Sequence, residues 1–318
     1  MLRPRIHHAV AAATVFTIAA CGGQKDHNTG QQQPVASAAP TPAAVPTPET
    51  TTAPTVPPNV SYATADSAFR ARQYATATDM FDAYSKRRPK NPWGFYMLGL
   101  SAWKSGQLDR ADSGFASAIA LDPKNVKSFV NLSRVLLDQG RLDDARDRIG
   151  QALALDSGNA ESWRVLGRVE GKAGRLDDAL GAYHTALSID PQDAWSMNNM
   201  GLLLLGAGRY DEALGPLARA VQLDDSVPSF QNNLGLALER TGHITLADQA
   251  YQAALAIDST YDKARVSLTR LQGHSDQPGL DSATVASLGD AFAGEIEGWR
   301  ASRKVATTDS QPDSVKRP

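Results

Sequence analysis

One set of residues recurs along this chain every 34 residues. Glycine recurs at this step from Gly106 to Gly242 and aspartate from Asp122 to Asp258, and two alanine series keep the same step. The alanine series run through positions 111, 145, 179, 213 and 247 and through 118, 152, 186, 220 and 254. A fixed period of this length is typical of stacked supersecondary units, each of which buries its apolar face only against its neighbours. The pattern therefore predicts a repeat protein rather than a single globular core.

Each 34-residue unit contains two helical patterns separated by a glycine. In the unit PWGFYMLGLSAWKSGQLDRADSGFASAIALDPKN, Phe95, Leu98 and Ala102 have the i, i+3, i+7 spacing of a buried helix face. Gly106 follows where a left-handed residue ends a helix, and a second apolar face begins at Ala111. Each unit is therefore predicted to form a helical hairpin.

The period and these residue types resemble the tetratricopeptide repeat family. The resemblance implies an all-α fold, a right-handed superhelical solenoid of antiparallel helix pairs. It covers six units and a capping helix that extends to residue 272; the units are 58–91, 92–125, 126–159, 160–193, 194–227 and 228–261. The first unit is irregular, since Arg72 occupies the position of the turn glycine. Four residues that precede first helices are suited to N-cap positions, namely Asn91, Asn125, Asn159 and Asp193.

A further helix is predicted after the repeats. Residues 273–280 interrupt the pattern, and 281–304 then place an apolar stripe on one face: Val285, Leu288, Phe292, Ile296 and Trp299. This stripe is consistent with packing on the final repeat, with occupation of the chain's own groove, or with docking on a partner. Residues 305–318 are predicted to be disordered.

The N-terminal sequence is typical of a targeting segment. Arg3 and Arg5 precede an uncharged stretch too short to span a bilayer but suited to a signal peptide over residues 1–20. The sequence Ile18-Ala19-Ala20-Cys21 resembles the lipobox of bacterial lipoproteins, and Cys21 is the only cysteine in the chain. The resemblance implies cleavage before Cys21 and acylation of its thiol, so that the membrane becomes a partner through a lipid anchor. An ordinary signal peptide that is cleaved elsewhere is the alternative.

Residues 21–57 are predicted to be the lipidated cysteine and a disordered tether. They contain almost no large apolar residues and are rich in Pro, Thr and Ala, which favours extended polyproline segments. Gly22 after the cysteine resembles the sorting pattern of outer-membrane lipoproteins. The expected location is the bacterial cell envelope, at the periplasmic face of the outer membrane.

The resemblance also implies where a partner binds. In the family, positions 2, 5, 6, 9, 12 and 13 of each unit line a concave groove that takes an extended peptide or a partner helix. Here the candidate groove residues are Trp93, Tyr96, Trp103, Lys104, Lys127, Asn131, Arg134, Arg164, Arg168, Lys172, Trp195, Asn198, Asn199, Asn232, Asn233 and Arg240. Their basic middle favours a ligand with acidic character or a free C-terminal carboxylate, and the asparagines are expected to contact its backbone. A solvated groove with ordinary surface charges is the alternative.

Composition and motifs argue against other classes of function. The net charge of −2 gives no support for nucleic acid as a partner, and the six histidines and single cysteine do not form a metal-binding pattern. No phosphate loop or nucleophile motif is present, so we expect no catalysis, cofactor, metal or small-molecule substrate. The sequence predicts a membrane-anchored scaffold or adaptor for envelope protein complexes. The alternatives are an accessory subunit of a glycan or peptidoglycan enzyme and a structural oligomeric spacer.

Overall fold

The fold was analysed in a computed structural model of the chain. It describes residues 59–271, 273 and 281–309, with side chains as far as residue 304. Within these ranges every regular element is an α-helix and there is no strand, which confirms the predicted all-α repeat fold. The predicted signal peptide, Cys21, the tether and residues 310–318 lie outside the described residues.

Fourteen helices account for nearly all of the described chain. They are α1 (Tyr62–Arg70), α2 (Tyr74–Arg87), α3 (Pro92–Lys104), α4 (Leu108–Leu121), α5 (Val126–Asp138), α6 (Leu142–Leu155), α7 (Ala160–Lys172), α8 (Leu176–Ile189), α9 (Ala194–Gly206), α10 (Tyr210–Leu223), α11 (Pro228–Arg240), α12 (Ile244–Ile257), α13 (Asp262–Leu271) and α14 (Ser282–Asp309). The first helix of units two to six has 13 residues and the second has 14. None of the helices in the described ranges combines the length and apolar character that a membrane span requires.

The ends of the first helices follow the local sequence. The side chains of Asn91, Asn125, Asn159 and Asp193 each accept a hydrogen bond from a backbone N–H of the first turn, which confirms their predicted N-cap role. At the other end, the turn glycines have φ values between 75° and 83°. Only glycine takes up this left-handed conformation at little cost, so the glycine series marks the turn of each hairpin.

The first unit forms the same turn without glycine. Arg72 has a φ of 60° and is the non-glycine residue with positive φ in the described chain. A left-handed conformation costs an L-residue about 1–2 kcal/mol. Helix α1 is also short, with nine residues, and starts at Tyr62 rather than at the residue 58 that the repeat register predicts. The first unit therefore departs from the others at both ends of its first helix.

Close helix packing within a hairpin depends on a glycine opposite a large side chain. A Cβ added to Gly99 would lie 2.8 Å from the Phe115 ring, and one added to Gly235 would lie 2.7 Å from the Tyr251 ring. Both rings are fully buried. The ring from one helix thus fills the space that the glycine of the other helix leaves free, as a well-packed interior requires.

The first helices line the inner face of the array and the second helices form its outer face. Neighbouring first helices contact each other, as α3 does with α5, α5 with α7, α7 with α9 and α9 with α11. Neighbouring second helices, in the described chain, make few or no such contacts. The array is therefore tighter on the side of the first helices, and side chains that point away from the hairpin interface there form one continuous surface.

Helix α14 lies on the outer face, against α10 and α8. Phe292 and Ile296 are buried, and the Trp299 ring lies 4.1 Å from the His184 ring of α8, measured between centroids. Gln222 Nε2 of α10 donates a hydrogen bond to the Ala286 carbonyl at 2.9 Å. The structure thus corrects two of the expectations for this helix, since it packs neither on the final repeat nor in the groove.

Helix α14 also extends past its predicted end. The sequence prediction placed the start of a disordered tail at residue 305, whereas the helix continues to Asp309. Residues 305–309 contain no glycine or proline, and the next proline is Pro312, so nothing in the local sequence breaks the helix earlier.

Candidate functional site

The predicted groove residues lie on the inner face, but they differ widely in how much of each side chain is exposed to solvent. The exposed ones are Trp93, Lys104, Lys127, Lys172, Trp195 and Arg240, and the half-buried ones are Tyr96, Trp103, Arg134, Arg164, Arg168 and Asn199. Four asparagines are buried: Asn131, Asn198, Asn232 and Asn233. The site therefore divides into residues that are available to a ligand and residues that already hold the repeats together.

Two arginines of the predicted basic middle are held in ion pairs. Arg134 lies 2.7 Å from a carboxylate oxygen of Glu161, and Arg164 donates to both carboxylate oxygens of Asp193 at 2.6 and 2.7 Å. Asp193 also caps α9, because its side chain accepts from the N–H of Ser196. Arg134 thus links α5 to α7, and Arg164 links α7 to the N-cap of α9. This differs from the prediction that these arginines are free to bind a ligand. Sequence reasoning missed Glu161, although it occupies position 2 of its unit.

Trp103 is enclosed by charged neighbours at the N-terminal half of the inner face. Its indole Nε1 donates a hydrogen bond to Asp138 at 2.7 Å. Lys104 and Arg134 lie 5.4 and 6.0 Å from its ring centroid, within the range of cation–π attraction. A small cleft of about 340 Å³ lies beside it, between α3 and α5. Trp103 therefore serves mainly to fix this surface.

An open cleft of about 810 Å³ lies on the inner face between α5, α7 and α9, and Leu176 and Tyr183 of α8 also line it. Arg168, Lys172, Asn199 and Leu202 line it, and small residues such as Gly171 leave room for a ligand. Among the described residues, no carboxylate lies within 4.0 Å of the Arg168 or Lys172 side-chain nitrogens. Leu202 exposes 41% of its surface although it is a large aliphatic residue. The cleft thus presents the unpaired cations Arg168 and Lys172 beside exposed apolar surface. The one acidic residue in its lining, Asp138, already accepts a hydrogen bond from Trp103 Nε1.

The buried asparagines form hydrogen bonds to each other. Asn233 Nδ2 donates to Asn198 Oδ1 at 2.8 Å, and Asn232 Nδ2 donates to Asn233 Oδ1 at 3.3 Å. Asn131 donates to the Tyr96 hydroxyl at 3.0 Å. These asparagines link successive first helices, which differs from the prediction that they contact a partner's backbone.

Asn199 is the asparagine that lines the open cleft. It follows the buried Asn198 on α9, is half-buried, and lies on the same wall as Leu202. An amide side chain both donates and accepts, so Asn199 is suited to the peptide groups of a bound segment.

Aromatic residues mark the rim of the inner face. The Trp93 ring packs edge-on against Tyr96 at 5.4 Å, and the Trp195 ring packs in the same way against Phe230 at 4.9 Å. Each of these tryptophans still exposes 49% of its surface. Arg240 lies 5.9 Å from the Tyr210 ring centroid.

One tyrosine of the inner-face cleft has a shifted pKa. Burial raises the pKa of Tyr183, which lines the large cleft, so its hydroxyl stays neutral at physiological pH. In the part of the chain that the structure describes, no three His, Cys, Asp or Glu side chains are grouped so as to hold a metal ion.

Comparison with known proteins identifies the family. The family model described as tetratricopeptide repeat matches residues 62–126, 96–148, 130–194 and 198–262, which together exceed half of the chain. The chain therefore belongs to the tetratricopeptide repeat family. Proteins of this family generally mediate protein–protein interactions and act as non-enzymatic scaffolds. No curated protein sequence matches the chain.

Solved structures show the same fold. A thermophilic tetratricopeptide repeat protein of Thermus thermophilus is 22% identical, with a TM-score of 0.51, over 57% of this chain and 98% of that chain. The Cut9–Hcn1 hetero-tetramer of APC/C contains a chain that is 19% identical, with a TM-score of 0.58, over 66% of this chain and 42% of that chain. At these identities the likeness is one of fold.

Proposed function

We propose that this protein is a scaffold that binds an extended segment of another protein in the cleft of α5, α7 and α9. The observation that carries the proposal is the pair of unpaired cations, Arg168 and Lys172, beside the exposed Leu202. The ligand we expect carries a carboxylate, from an acidic side chain or a free C-terminus, next to an apolar residue.

The physical basis is the contrast between free and paired cations. An arginine that already has a carboxylate partner, as Arg164 has in Asp193, gains little from a second one. Arg168 and Lys172 have no such partner among the described residues, so a ligand carboxylate supplies charge-assisted hydrogen bonds that water otherwise provides. Leu202 contributes to the binding free energy because its exposed apolar surface is removed from water when an apolar side chain of the ligand covers it.

We further propose that the scaffold is a lipoprotein anchored through Cys21, at the periplasmic face of the outer membrane in a bacterial envelope. The Ile18-Ala19-Ala20-Cys21 sequence and Gly22 support the anchor and its location. The Pro/Thr/Ala-rich segment that ends near residue 57 supports a tether. Such an arrangement suits the assembly of envelope protein complexes.

The cleft is tested by crosslinking in cells from a photoreactive residue at Leu202, followed by identification of the captured partner and measurement of its affinity. We expect Arg168→Glu/Lys172→Glu to weaken that affinity roughly tenfold or more, because two attractive contacts become repulsive. The matched control is Arg148→Glu/Lys263→Glu, which makes the same charge change away from the cleft, at the half-buried Arg148 and the exposed Lys263. Equal binding by the cleft variant and the control would refute the proposal.

Arg164 is unsuitable for this test. Its substitution leaves the carboxylate of Asp193 without its partner, and Asp193 also caps α9, so reduced binding would report on stability.

The anchor is tested separately by labelling cells with radioactive palmitate. The parent chain is expected to take up label and Cys21→Ala to lose it. Continued labelling of the variant would contradict the lipoprotein assignment without bearing on the cleft.

A further inference from the structure

The first loop between repeats breaks the aspartate series. Later loops begin with Asp122, Asp156, Asp190, Asp224 and Asp258, and the position 34 residues before Asp122 is Arg88. The same loop also contains Lys90. A position that is acidic in every later loop is therefore basic in this one.

The charge difference extends to the whole first unit. Residues 59–91 contain six basic and three acidic residues, whereas the full chain has a net charge of −2. The loop edge of the array is consequently positive at the first loop, neutral at 122–125, where Lys124 offsets Asp122, and negative from residue 156 onward. Loop 190–193, for example, has two acids and no base.

The positive charges of this loop are exposed. Arg88 and Lys90 are both exposed, and among the described residues neither has a carboxylate within 4.0 Å. Arg87 donates to the backbone carbonyl of Val60, and Lys86 forms only an exposed ion pair with Asp82. Exposed ion pairs of this kind contribute little, so Lys86 stays available.

An exposed aromatic residue follows these charges closely in the sequence. Trp93, in the first turn of α3, is half exposed, and its backbone N–H is held by Asn91. An open cleft of about 1030 Å³ is lined by residues 59–63 on one side and by Tyr84 and residues 87–92 on the other. We call Lys86, Arg87, Arg88, Lys90 and Trp93 the basic corner.

We propose that the basic corner docks on an anionic phospholipid surface. Lysine and arginine attract anionic headgroups, and tryptophan favours the boundary between headgroups and acyl chains. The acidic loops farther along the edge are repelled by the same surface. The array is therefore oriented with its first unit against the bilayer and its later units away from it.

The inference does not depend on a lipid anchor, so it is tested on the chain from Gly22 onward. The described core residues all lie between Val60 and Trp299, so this chain retains the entire core. Co-sedimentation with vesicles of phosphatidylglycerol and phosphatidylcholine in equal parts is compared with pure phosphatidylcholine. We expect binding only to the anionic vesicles, and weaker binding as the ionic strength is raised to ~0.15 M.

The variants address the basic corner itself. Each neutralised charge should lower vesicle affinity about fivefold, so Arg88→Gln/Lys90→Gln should lower it roughly 25-fold. The control Arg148→Gln/Lys263→Gln removes the same charge from other helices, at the half-buried Arg148 and the exposed Lys263. It should leave affinity within about twofold, since charges beyond a Debye length are screened. Circular dichroism confirms that each variant is folded.

The outcomes separate this inference from the proposed cleft. Equal vesicle binding by the Arg88/Lys90 variant and its control would overturn the membrane-docking inference. A parent chain that does not bind anionic vesicles would also overturn it, and an acidic protein would then be the partner that fits the basic corner. Partner binding in the α5, α7 and α9 cleft should be unchanged in Arg88→Gln/Lys90→Gln. A loss of partner binding with Arg168→Glu/Lys172→Glu is likewise expected without a loss of vesicle binding.

Discussion

The outer faces of the repeats differ, and one helix position explains the difference. In the fourth and fifth units, which α14 covers, the fifth residue of the second helix is apolar, at Leu180 and Leu214. The same repeat position carries a charge in the open second, third and sixth units, at Asp112, Arg146 and Asp248. A charged residue there cannot be covered by an apolar helix without losing its hydration. The sequence of these two units therefore determines where α14 docks on an otherwise regular array.

The next position sharpens the comparison. The covered units have Gly181 and Gly215, and the open units have Ser113, Asp147 and Gln249. A Cβ added to Gly215 would lie 3.4 Å from Phe292 Cβ, whereas one added to Gly181 would meet nothing within 4 Å. The lesson is that repeats with the same internal packing differ in what their outer faces can hold.

The largest effect is expected from removing the ring at the centre of the covered face. Phe292→Ala should destabilise the docked state of α14 by about 3–5 kcal/mol, because it deletes a buried aromatic side chain and leaves a cavity. Amide hydrogen exchange across α14 measures the loss of docking. The control Leu121→Ala, on an open face, should change the free energy of unfolding by less than about 0.5 kcal/mol. Similar values for the two variants would contradict the comparison.

A second test moves an open-face residue onto the covered face. Leu180 lines the cavity beneath α14 together with Phe292 and Trp299. Leu180→Asp should destabilise α14 docking by about 2 kcal/mol, because it removes apolar contact and brings a carboxylate under the helix. Limited proteolysis after residue 281 reports the undocked helix. Unchanged cleavage would show that this position does not select the covered units.

The two glycines provide an internally matched pair. Gly215→Gln should destabilise the protein by about 1 kcal/mol. Its Cβ would already touch Phe292 and the Leu288 carbonyl, so α14 has to shift to admit the rest of the side chain. Gly181→Gln should stabilise it by about 0.5–1 kcal/mol, since glutamine is the better helix former and the added side chain meets open space. Urea unfolding of both variants measures these changes. If both variants changed the free energy of unfolding in the same direction, contact with Phe292 would not explain why the covered face has glycine at this position.

The smallest effect concerns pH. Burial lowers the pKa of His184, whose ring lies against Trp299, so folding favours the neutral imidazole. This contribution is fully present above the unfolded-state pKa of about 6.5 and is lost as the pH falls through the folded pKa. Burial is the cause of this shift, and the charged residues Arg209, Asp211, Glu212 and Glu295 also line the cavity beside His184. Urea unfolding from pH 8 to pH 5 should show a smaller decline in stability for His184→Phe than for the parent.

Most of the fold could be predicted from the sequence because its signals are local. The 34-residue period, the N-cap side chains and the turn glycines each act within one unit. The position of α14 was not predictable in this way. Its apolar stripe shows that one face is buried but not against which surface, and that information lies in Leu180 and Leu214, far away in the sequence.

The candidate site was predicted less completely. Family positions identify which side chains face inward, but they do not show which charges neutralise each other between units. Arg164 pairs with Asp193, 29 residues away, and Asn198 with Asn233, 35 residues away. Such contacts from one first helix to the start or the body of the next occupy groups that the sequence pattern alone shows as free. Arg168, Lys172 and Asn199 line the open cleft, and in the described part of the chain no carboxylate lies within ion-pairing distance of the two cations.

The strained turn at Arg72 has a mechanical consequence. In a linear array each unit is held only by its neighbours, so a pulling force applied at residue 59 acts on α1 and α2 before it reaches any other pair. That hairpin has the shortest first helix of the six units and the turn that costs most to form. Under a pulling force the first unit should therefore unfold first. Its extension would relieve the force while the inner-face cleft of the later repeats stays folded.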